Sequence, residues 1–164
     1  MDVTAPLEPG AVRVTEAGVG NYTQIATNGR HEWAADEPES VGGHDAGPNP
    51  YELLSASLAA CATITMRMYA DRKGWPLEGV SVDVKHDRIH AKDCEDCETK
   101  QGMIDRLEKT IRIIGDLDED QIDRLMEIAD RCPVHRTLSR EIQIVSVNGR
   151  DPSSTVGPDD GAPQ

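Results

Sequence analysis

Aromatic side chains are scarce in this chain of 164 residues, and phenylalanine is absent altogether. Aromatic residues make up 3% of the chain, so its core must be built from Val, Ile, Leu, Met and Ala. Basic residues are also few, since 17 Lys and Arg face 30 Asp and Glu, for a formal net charge of −13. A chain this acidic repels phosphate groups, and no local basic stripe offsets the charge. The composition therefore disfavours nucleic-acid binding.

Long hydrophobic runs are missing as well. The longest uncharged apolar stretch, residues 53–66, is shorter than the roughly 20 apolar residues that a membrane span requires. Residues 1–10 have neither the basic nor the hydrophobic region of a secretory signal. We therefore expect a cytoplasmic protein with no membrane partner. In that compartment the four cysteines are expected to be reactive, metal-bound or buried rather than joined in structural disulfides.

The length predicts one domain with a tail at each end. Residues 1–10 contain two prolines and a glycine and are expected to form a flexible tail. Residues 148–164 have almost no large apolar side chain, which predicts disorder. The single folded domain is expected over residues 11–147.

Three short extended runs open this domain, at residues 11–15, 22–27 and 30–35. The pair Asn28 and Gly29 separates the last two runs, and both residue types tolerate the positive φ of a tight hairpin turn. The sequence therefore predicts an antiparallel meander of three strands.

The clearest element is a helix from Pro50 to about Lys73. Asn49 is placed to cap its start, and Glu52 occupies the third helical position, where a capping box needs an acidic residue. Gly74 follows as a C-terminal stop. The first four turns are apolar on nearly every side, which is typical of a buried helix. We expect part of that burial to come from a second subunit.

Strands and a second helix follow. Residues 79–90 and 104–114 predict a long hairpin, and Asp118 with Gln121 predicts the start of an amphipathic helix. Residues 141–147 predict a closing strand. The apolar face of the second helix is expected to consist of Ile122, Leu125, Met126 and Ala129. This order of elements indicates an α+β fold.

Two of the cysteines lie on or next to predicted helices. Cys61 is in the middle of the long helix among uncharged neighbours, where a free cysteine is commonly a small buried hydrophobe. The helix dipole acts only over the first turn, so activation of Cys61 requires a cation from elsewhere in the fold. Cys132 precedes Pro133 at a predicted helix start, where backbone N–H groups and the nearby His135 favour a thiolate. The alternative for Cys132 is an unreactive residue that ends a helix.

The other two cysteines, Cys94 and Cys97, form a CxxC motif at the tip of the predicted hairpin, downstream of His86 and His90. Three interpretations are open: a zinc site built from these residues, a redox-active or structural disulfide, and an acidic loop with two idle thiols. The acidic residues around the pair disfavour thiolates and therefore a strongly nucleophilic pair.

The segments around Cys61 and Cys132 carry a specific pair of motifs. They read GPNPYELLSASLAAC at residues 47–61 and ADRCPVH at residues 129–135. Together they resemble the OsmC/Ohr family, the osmotically inducible protein C and organic hydroperoxide resistance proteins. The resemblance covers about residues 11–147, in element order as well as in motifs. RMYADRKGWPLEGV, at residues 67–80, is similar to an OsmC-like subgroup with a cysteine-containing hairpin.

This resemblance implies an intertwined α+β homodimer, in which sheets from both chains wrap two long central helices. It also implies a peroxidase in which Cys61 attacks the O–O bond of an organic hydroperoxide and becomes a sulfenic acid. Cys132 then resolves the sulfenic acid as a disulfide. A dithiol, either a lipoylated protein or a small thiol, reduces that disulfide. We assign no cofactor and no metal to this reaction.

The activating residues of the family match this chain less well. In the hydroperoxide-resistance branch, a glutamate directly after Asn-Pro orients an activating arginine. Here Tyr51 occupies that position, and Glu52 comes one residue later, about 100° further around the helix. We predict a catalytic role for Glu52, and Arg13 and Arg30 are candidates for the arginine.

A second hypothesis follows from this departure. The chain would be a dimer that keeps the OsmC fold without its activity and binds a small molecule or a metal. The metal ligands would be Cys94 and Cys97 with His86 and His90. Stoichiometric zinc in protein purified without added metal would support this hypothesis.

Overall fold

The computed structural model of the chain describes residues 5–94 and 99–148. Its first sheet consists of β1 (Arg13–Glu16), β2 (Gln24–Thr27) and β3 (Glu32–Ala35), which pair antiparallel in that order. These strands confirm the predicted meander, and each begins two residues later than expected. Residues 1–4 and 149–164, which form most of the predicted tails, lie outside the described residues. The extent of the single domain therefore stays a prediction.

A long helix, α1 (Pro50–Lys73), follows the first sheet and has the predicted bounds. The Asn49 side chain accepts a hydrogen bond from the Glu52 N–H at 3.0 Å, and the Glu52 carboxylate accepts one from the Asn49 N–H at 2.8 Å. Gly74 ends the helix with a φ of 66°, a left-handed conformation that favours glycine. The predicted capping box and C-terminal stop are therefore confirmed.

Within the single chain, α1 is buried along one stripe only, formed by Leu58, Ala62, Met66 and Ala70. The opposite face carries large apolar side chains in solvent, with Ile64 58% and Met68 67% exposed. The expected burial of the remaining surface by a second subunit stays a prediction. By length and composition α1 would also pass as a membrane span, a test that the core helix of a soluble protein passes equally.

Two strands, β4 (Leu77–His90) and β5 (Met103–Gly115), form the predicted hairpin and lie against α1. They pair antiparallel over nearly their whole length, and Val84 lies opposite Lys109. The residues that face α1 alternate with exposed ones, as the pattern of the sequence predicts.

Two helices, α2 (Glu119–Asp130) and α3 (Pro133–Leu138), pack on the same side of α1 as this hairpin. Asp118 and Gln121 form the predicted capping box of α2. The predicted apolar face of α2 is correct for Leu125 and Ala129. Ile122 and Met126 are exposed, and Ile128 is buried in their place.

The predicted closing strand at residues 141–147 is wrong. These residues have no regular structure, and their apolar side chains are exposed, with Ile144 87% and Val147 88% accessible. A strand needs a neighbour to satisfy its backbone N–H and C=O groups. Neither sheet in the described ranges pairs with this segment.

Candidate active site

The start of α3 lies directly against the middle of α1 and brings Cys61 and Cys132 together. Cys132 is the N-cap of α3, and its Sγ accepts a hydrogen bond from the His135 N–H at 3.3 Å. The next N–H along the chain, that of Val134, donates to the Cys61 Sγ at 3.5 Å. The two thiols also lie close enough to influence each other, and both cysteines are free. Two sulfur atoms thus share one backbone turn.

The two thiols differ in their environment. Cys132 is fully buried, whereas Cys61 is partly exposed. Burial raises the pKa of the Cys132 thiol and contact with Cys61 adds to the rise, while the His135 N–H and the Lys109 cation oppose it. Cys61 is therefore the thiol that a dissolved molecule can reach, and Cys132 is a protonated thiol held behind it.

A buried lysine lies beside this pair, and the sequence analysis missed it. Lys109 occupies a core-facing position of β5, in line with Leu107 and Ile111, and its side chain is only 11% exposed. Its Nζ lies 2.7 Å from Asp130 Oδ1, 3.0 Å from His135 Nδ1 and 3.5 Å from the Ala129 carbonyl oxygen. A charged residue within an alternating apolar run was the signal that could have identified it.

A cavity of about 450 Å³ opens beside Lys109 and His135. Four leucines form its apolar wall, contributed by α1, β5 and α3. Its polar groups come from the hairpin, from the start of α1 and from α3, and neither Cys61 nor Cys132 is among the lining residues. The lining residues are Tyr51, Leu54, Leu58, His86, Asp105, Leu107, Lys109, His135, Leu138 and Ser139. The cavity thus suits a small molecule with an apolar body and a polar end.

Tyr51 and His86 form one end of that cavity. Their rings stack in parallel, with centroids 4.2 Å apart and planes 7° apart. His86 Nε2 lies 3.0 Å from Asp105 Oδ1, so the carboxylate fixes the orientation of the imidazole. Tyr51, which follows the Asn49-Pro50 pair, is therefore part of an ordered aromatic and acidic group.

The residues predicted to activate Cys61 lie elsewhere in this chain. The Glu52 carboxylate belongs to the α1 cap and lines an open groove of about 800 Å³, roughly 13 Å along the helix axis from Cys61. Arg13 begins β1, and Arg30 lies in the turn before β3, next to residues 6–12. None of the three lines the cavity beside Lys109 and His135. A catalytic role for Glu52 stays a prediction.

The predicted metal ligands do not converge where the structure describes them. His86 is held by Tyr51 and Asp105. Cys94 is in a disulfide, so the general expectation against disulfides is wrong for this residue, although a disulfide is one of the three interpretations open for its motif. Cys97 lies outside the described residues. Within residues 5–94 and 99–148, no three His, Cys, Asp or Glu side chains are grouped as metal ligands.

Fold and site together define an α+β protein with a pair of free cysteines at the junction of two helices. A family model described as OsmC-like protein matches residues 43–146, and the chain belongs to this family. The resemblance seen in the sequence is therefore confirmed, while the subgroup with a CxxC hairpin stays a prediction.

Solved structures of OsmC and Ohr proteins share this fold. An OsmC-like protein from Mycoplasma pneumoniae is 21% identical, with a TM-score of 0.59 over 78% of this chain and 85% of that one. An organic hydroperoxide resistance protein OsmC from Legionella pneumophila is 20% identical, with a TM-score of 0.58 over 82% and 92%. OhrB of Bacillus subtilis is 18% identical, with a TM-score of 0.54 over 79% and 90%. The comparison with curated proteins found no significant sequence match.

Proposed function

We propose that the protein is a thiol-dependent peroxidase that reduces organic hydroperoxides. The Cys61 thiolate attacks the O–O bond, takes one oxygen as a sulfenic acid and releases the remainder of the peroxide as an alcohol. The observation that carries this proposal is the contact of two free cysteines, one partly exposed and one buried, at a shared backbone turn. A pair with one accessible thiol and a second within reach is the arrangement that a two-cysteine peroxidase needs.

Cys132 completes the cycle as the resolving thiol. Its sulfur attacks the Cys61 sulfenic acid, the S–S bond forms, and the hydroxyl leaves as water after taking a proton. An external dithiol, either a lipoylated protein or a small thiol, then reduces the disulfide. The four leucines of the cavity support an alkyl hydroperoxide as the substrate, because such a wall gains free energy by covering an apolar tail.

We also propose that the protein acts as a cytoplasmic homodimer. The exposed Ile64 and Met68 on α1, together with the exposed apolar segment 141–147, are surfaces that a second copy of the chain would cover. The unpaired segment would also gain the strand partner that it lacks. This arrangement is the intertwined dimer that the sequence motifs imply.

Disulfide mapping tests the peroxidase proposal directly. Reduced protein is treated with one equivalent of cumene hydroperoxide, and the products are mapped by non-reducing peptide mass spectrometry. We expect rapid formation of a bond between Cys61 and Cys132, and loss of peroxide consumption in Cys61→Ser. In Cys132→Ser, the Cys61 sulfenic acid should accumulate and react with dimedone. Full peroxide turnover by Cys61→Ser would overturn the proposal.

The same experiment decides the second hypothesis, a dimer that binds a small molecule without catalysis. The observation that favours it is the stacked pair of Tyr51 and His86, which occupies the end of the cavity where the family has its activating glutamate. If Cys61 remains a thiol in the presence of peroxide, the cavity becomes a binding site and the peroxidase proposal fails.

A further inference from the structure

Lys109 is the one lysine of this chain that faces the core of the described fold. It interrupts the apolar face of β5 between Leu107 and Ile111, where an apolar residue would normally lie. Burying an ammonium group is costly unless it is paired and hydrogen-bonded. Its partners, Asp130 and His135, lie on either side of Cys132 in the sequence. The cation is thus held against the segment that carries the buried thiol.

The contact with His135 fixes the state of that imidazole. An ammonium group has only donors, so His135 Nδ1 must accept the hydrogen bond from Lys109 Nζ at 3.0 Å. The proton of the neutral ring is then on Nε2, and the ring itself is anchored to β5. Because the backbone N–H of the same residue donates to Cys132 Sγ, the anchored ring also holds that donor in place.

We propose that Lys109 is a positioning residue of the cysteine pair, and that it speeds the step in which Cys132 closes a disulfide on oxidised Cys61. This inference rests on the proposed peroxidase function. Lys109 acts in two ways: its charge favours the thiolate of Cys132, and its contacts hold the His135 N–H on the sulfur.

The chemistry of the step shows why a cation matters. Cys132 must lose its proton, and its sulfur then attacks the sulfenic sulfur of Cys61. The S–S bond forms, the S–O bond breaks, and the departing hydroxide takes up a proton to become water. The Cys132 sulfur is oxidised and the Cys61 sulfur is reduced. Burial opposes the first event by raising the pKa of Cys132, and Lys109 opposes that rise.

The titratable groups around Cys132 come from four elements. β5 contributes Lys109, α2 contributes Asp130, α3 contributes His135 and α1 contributes Cys61. Across the cavity lie His86 of β4 and Asp105 of β5, which are paired with each other. Asp130 therefore partly neutralises the cation that favours the thiolate.

Rapid-quench kinetics in the full-length protein test the proposal. Reduced protein is mixed with cumene hydroperoxide, quenched with acid and analysed for Cys61 sulfenic acid and for the disulfide. We expect Lys109→Met to slow disulfide closure several-fold, because losing the cation leaves less of Cys132 as the thiolate and removes the partner that anchors His135. The pH profile of closure should shift to higher pH, and closure is timed from the sulfenic acid already formed, because Lys109 also lines the proposed substrate cavity. Lys109→Arg should restore most of the closure rate.

Two variants separate an electrostatic effect from loss of structure. Asp130→Asn removes a carboxylate that is 62% exposed and leaves the lysine in place, so the pH profile of closure should shift to lower pH, opposite to Lys109→Met. Arg112→Met is the matched control, because it removes an exposed cation from the same strand and breaks an ion pair with Asp83. We expect no change in closure with this control.

A direct titration makes the test independent of catalysis. The ¹³Cβ shift of Cys132 in protein labelled with [3-¹³C]cysteine reports its thiolate, and Lys109→Met should move that titration to higher pH. The proposal would be overturned if folded Lys109→Met closed the disulfide at the wild-type rate and its Cys132 titration were unchanged. An equal loss of closure rate in Lys109→Arg and Lys109→Met would also overturn it. If wild-type protein forms no sulfenic acid, the peroxidase proposal fails, while the titration still shows whether Lys109 favours the thiolate.

Discussion

At the scale of single residues, a buried carboxylate organises the approach to the site. Asp36 lies at the start of the loop that leads into α1 and accepts hydrogen bonds from the Thr23 hydroxyl and the N–H groups of Glu37, His44 and Ala46. Burial alone would raise the pKa of Asp36, but these donors outweigh it and hold the pKa below its usual range. The carboxylate thus ties the loop to Thr23, the residue that precedes β2.

Asp36→Asn is expected to lower the melting temperature at neutral pH, because an amide offers fewer acceptor sites and no charge to the same donors. A carboxylate whose pKa is lowered stabilises the fold above its ordinary value and loses that contribution as the pH falls through the folded pKa. The difference between variant and wild type should therefore shrink below about pH 4. Thermal melts from pH 3 to 8 measure it.

Asp45→Asn provides the control for this prediction. Asp45 belongs to the same loop but is exposed, and asparagine tolerates its positive φ of 52°. We expect this control to melt like wild type at every pH. A stability gap for Asp36→Asn that stays constant from pH 3 to 8 would show that the charge of Asp36 is not responsible.

Single residues also show where the sequence stops being informative. The two cysteines were recognisable because they lie in specific motifs, each next to a helix signal. Lys109 and Asp36 carried no motif, because their roles depend on partners far along the chain, such as Asp130 for Lys109 and Thr23 for Asp36. Local patterns do not encode such partners. They show only that a lysine at an apolar position of an alternating strand needs a partner of some kind.

At the scale of elements, the start of α1 carries Glu52, which caps the helix and is also a predicted catalytic residue. The Glu52 carboxylate caps the helix, and a glutamine can make the same hydrogen bond to the Asn49 N–H. We expect Glu52→Gln to keep the wild-type stability within about 0.5 kcal/mol, and Glu52→Ala to lose about 1 kcal/mol. Denaturant unfolding measures both changes.

Peroxide consumption by the same variants then separates capping from catalysis. If Glu52 takes part in the reaction, Glu52→Gln loses activity at unchanged stability. Wild-type activity in Glu52→Gln would assign this residue to the helix cap alone and would end its predicted catalytic role. Asp118→Asn is a matched control, because it alters the capping box of α2 away from the cysteine pair.

The elements differ in how well the sequence predicted them, for a physical reason. The bounds of α1 followed from Asn49, Pro50 and Gly74, because caps and stops are local signals. The hairpin of β4 and β5 followed from alternation, which is also local. The segment 141–147 is rich in β-branched residues, yet a strand exists only beside another strand. The wrong prediction of a strand at this segment therefore points to an interaction with another chain.

At the scale of the whole molecule, a second copy of the chain would account for the exposed apolar surface. Ile64 and Met68 cover the side of α1 opposite the buried stripe, and residues 141–147 add further apolar side chains. Exposed large apolar side chains that share one helix face are typical of an interface. A two-fold dimer would cover the same patch on both copies.

We therefore expect light scattering after size-exclusion chromatography to show a species of twice the chain mass of 17.9 kDa. Ile64→Asp should shift this species to the monomer, because it places a charge in the proposed interface. Ser81→Asp, on the exposed face of β4, should leave the dimer intact. A wild-type monomer at micromolar concentration, or an Ile64→Asp dimer as stable as wild type, would contradict the proposed assembly.

The cap of α3 links the fold to its oxidation state. The sulfur that accepts the His135 N–H is the same sulfur that would bond to Cys61, so closing the disulfide turns a polarisable thiol into a poorer acceptor and removes part of the cap. The stabilisation that the cap gives α3 is lost when the disulfide forms and is regained when the disulfide is reduced. A bound ligand or a substitution that favours the capped form of α3 would therefore raise the reduction potential of the pair. Partial fraying of this short helix in the oxidised state would also expose the buried sulfur to an incoming dithiol.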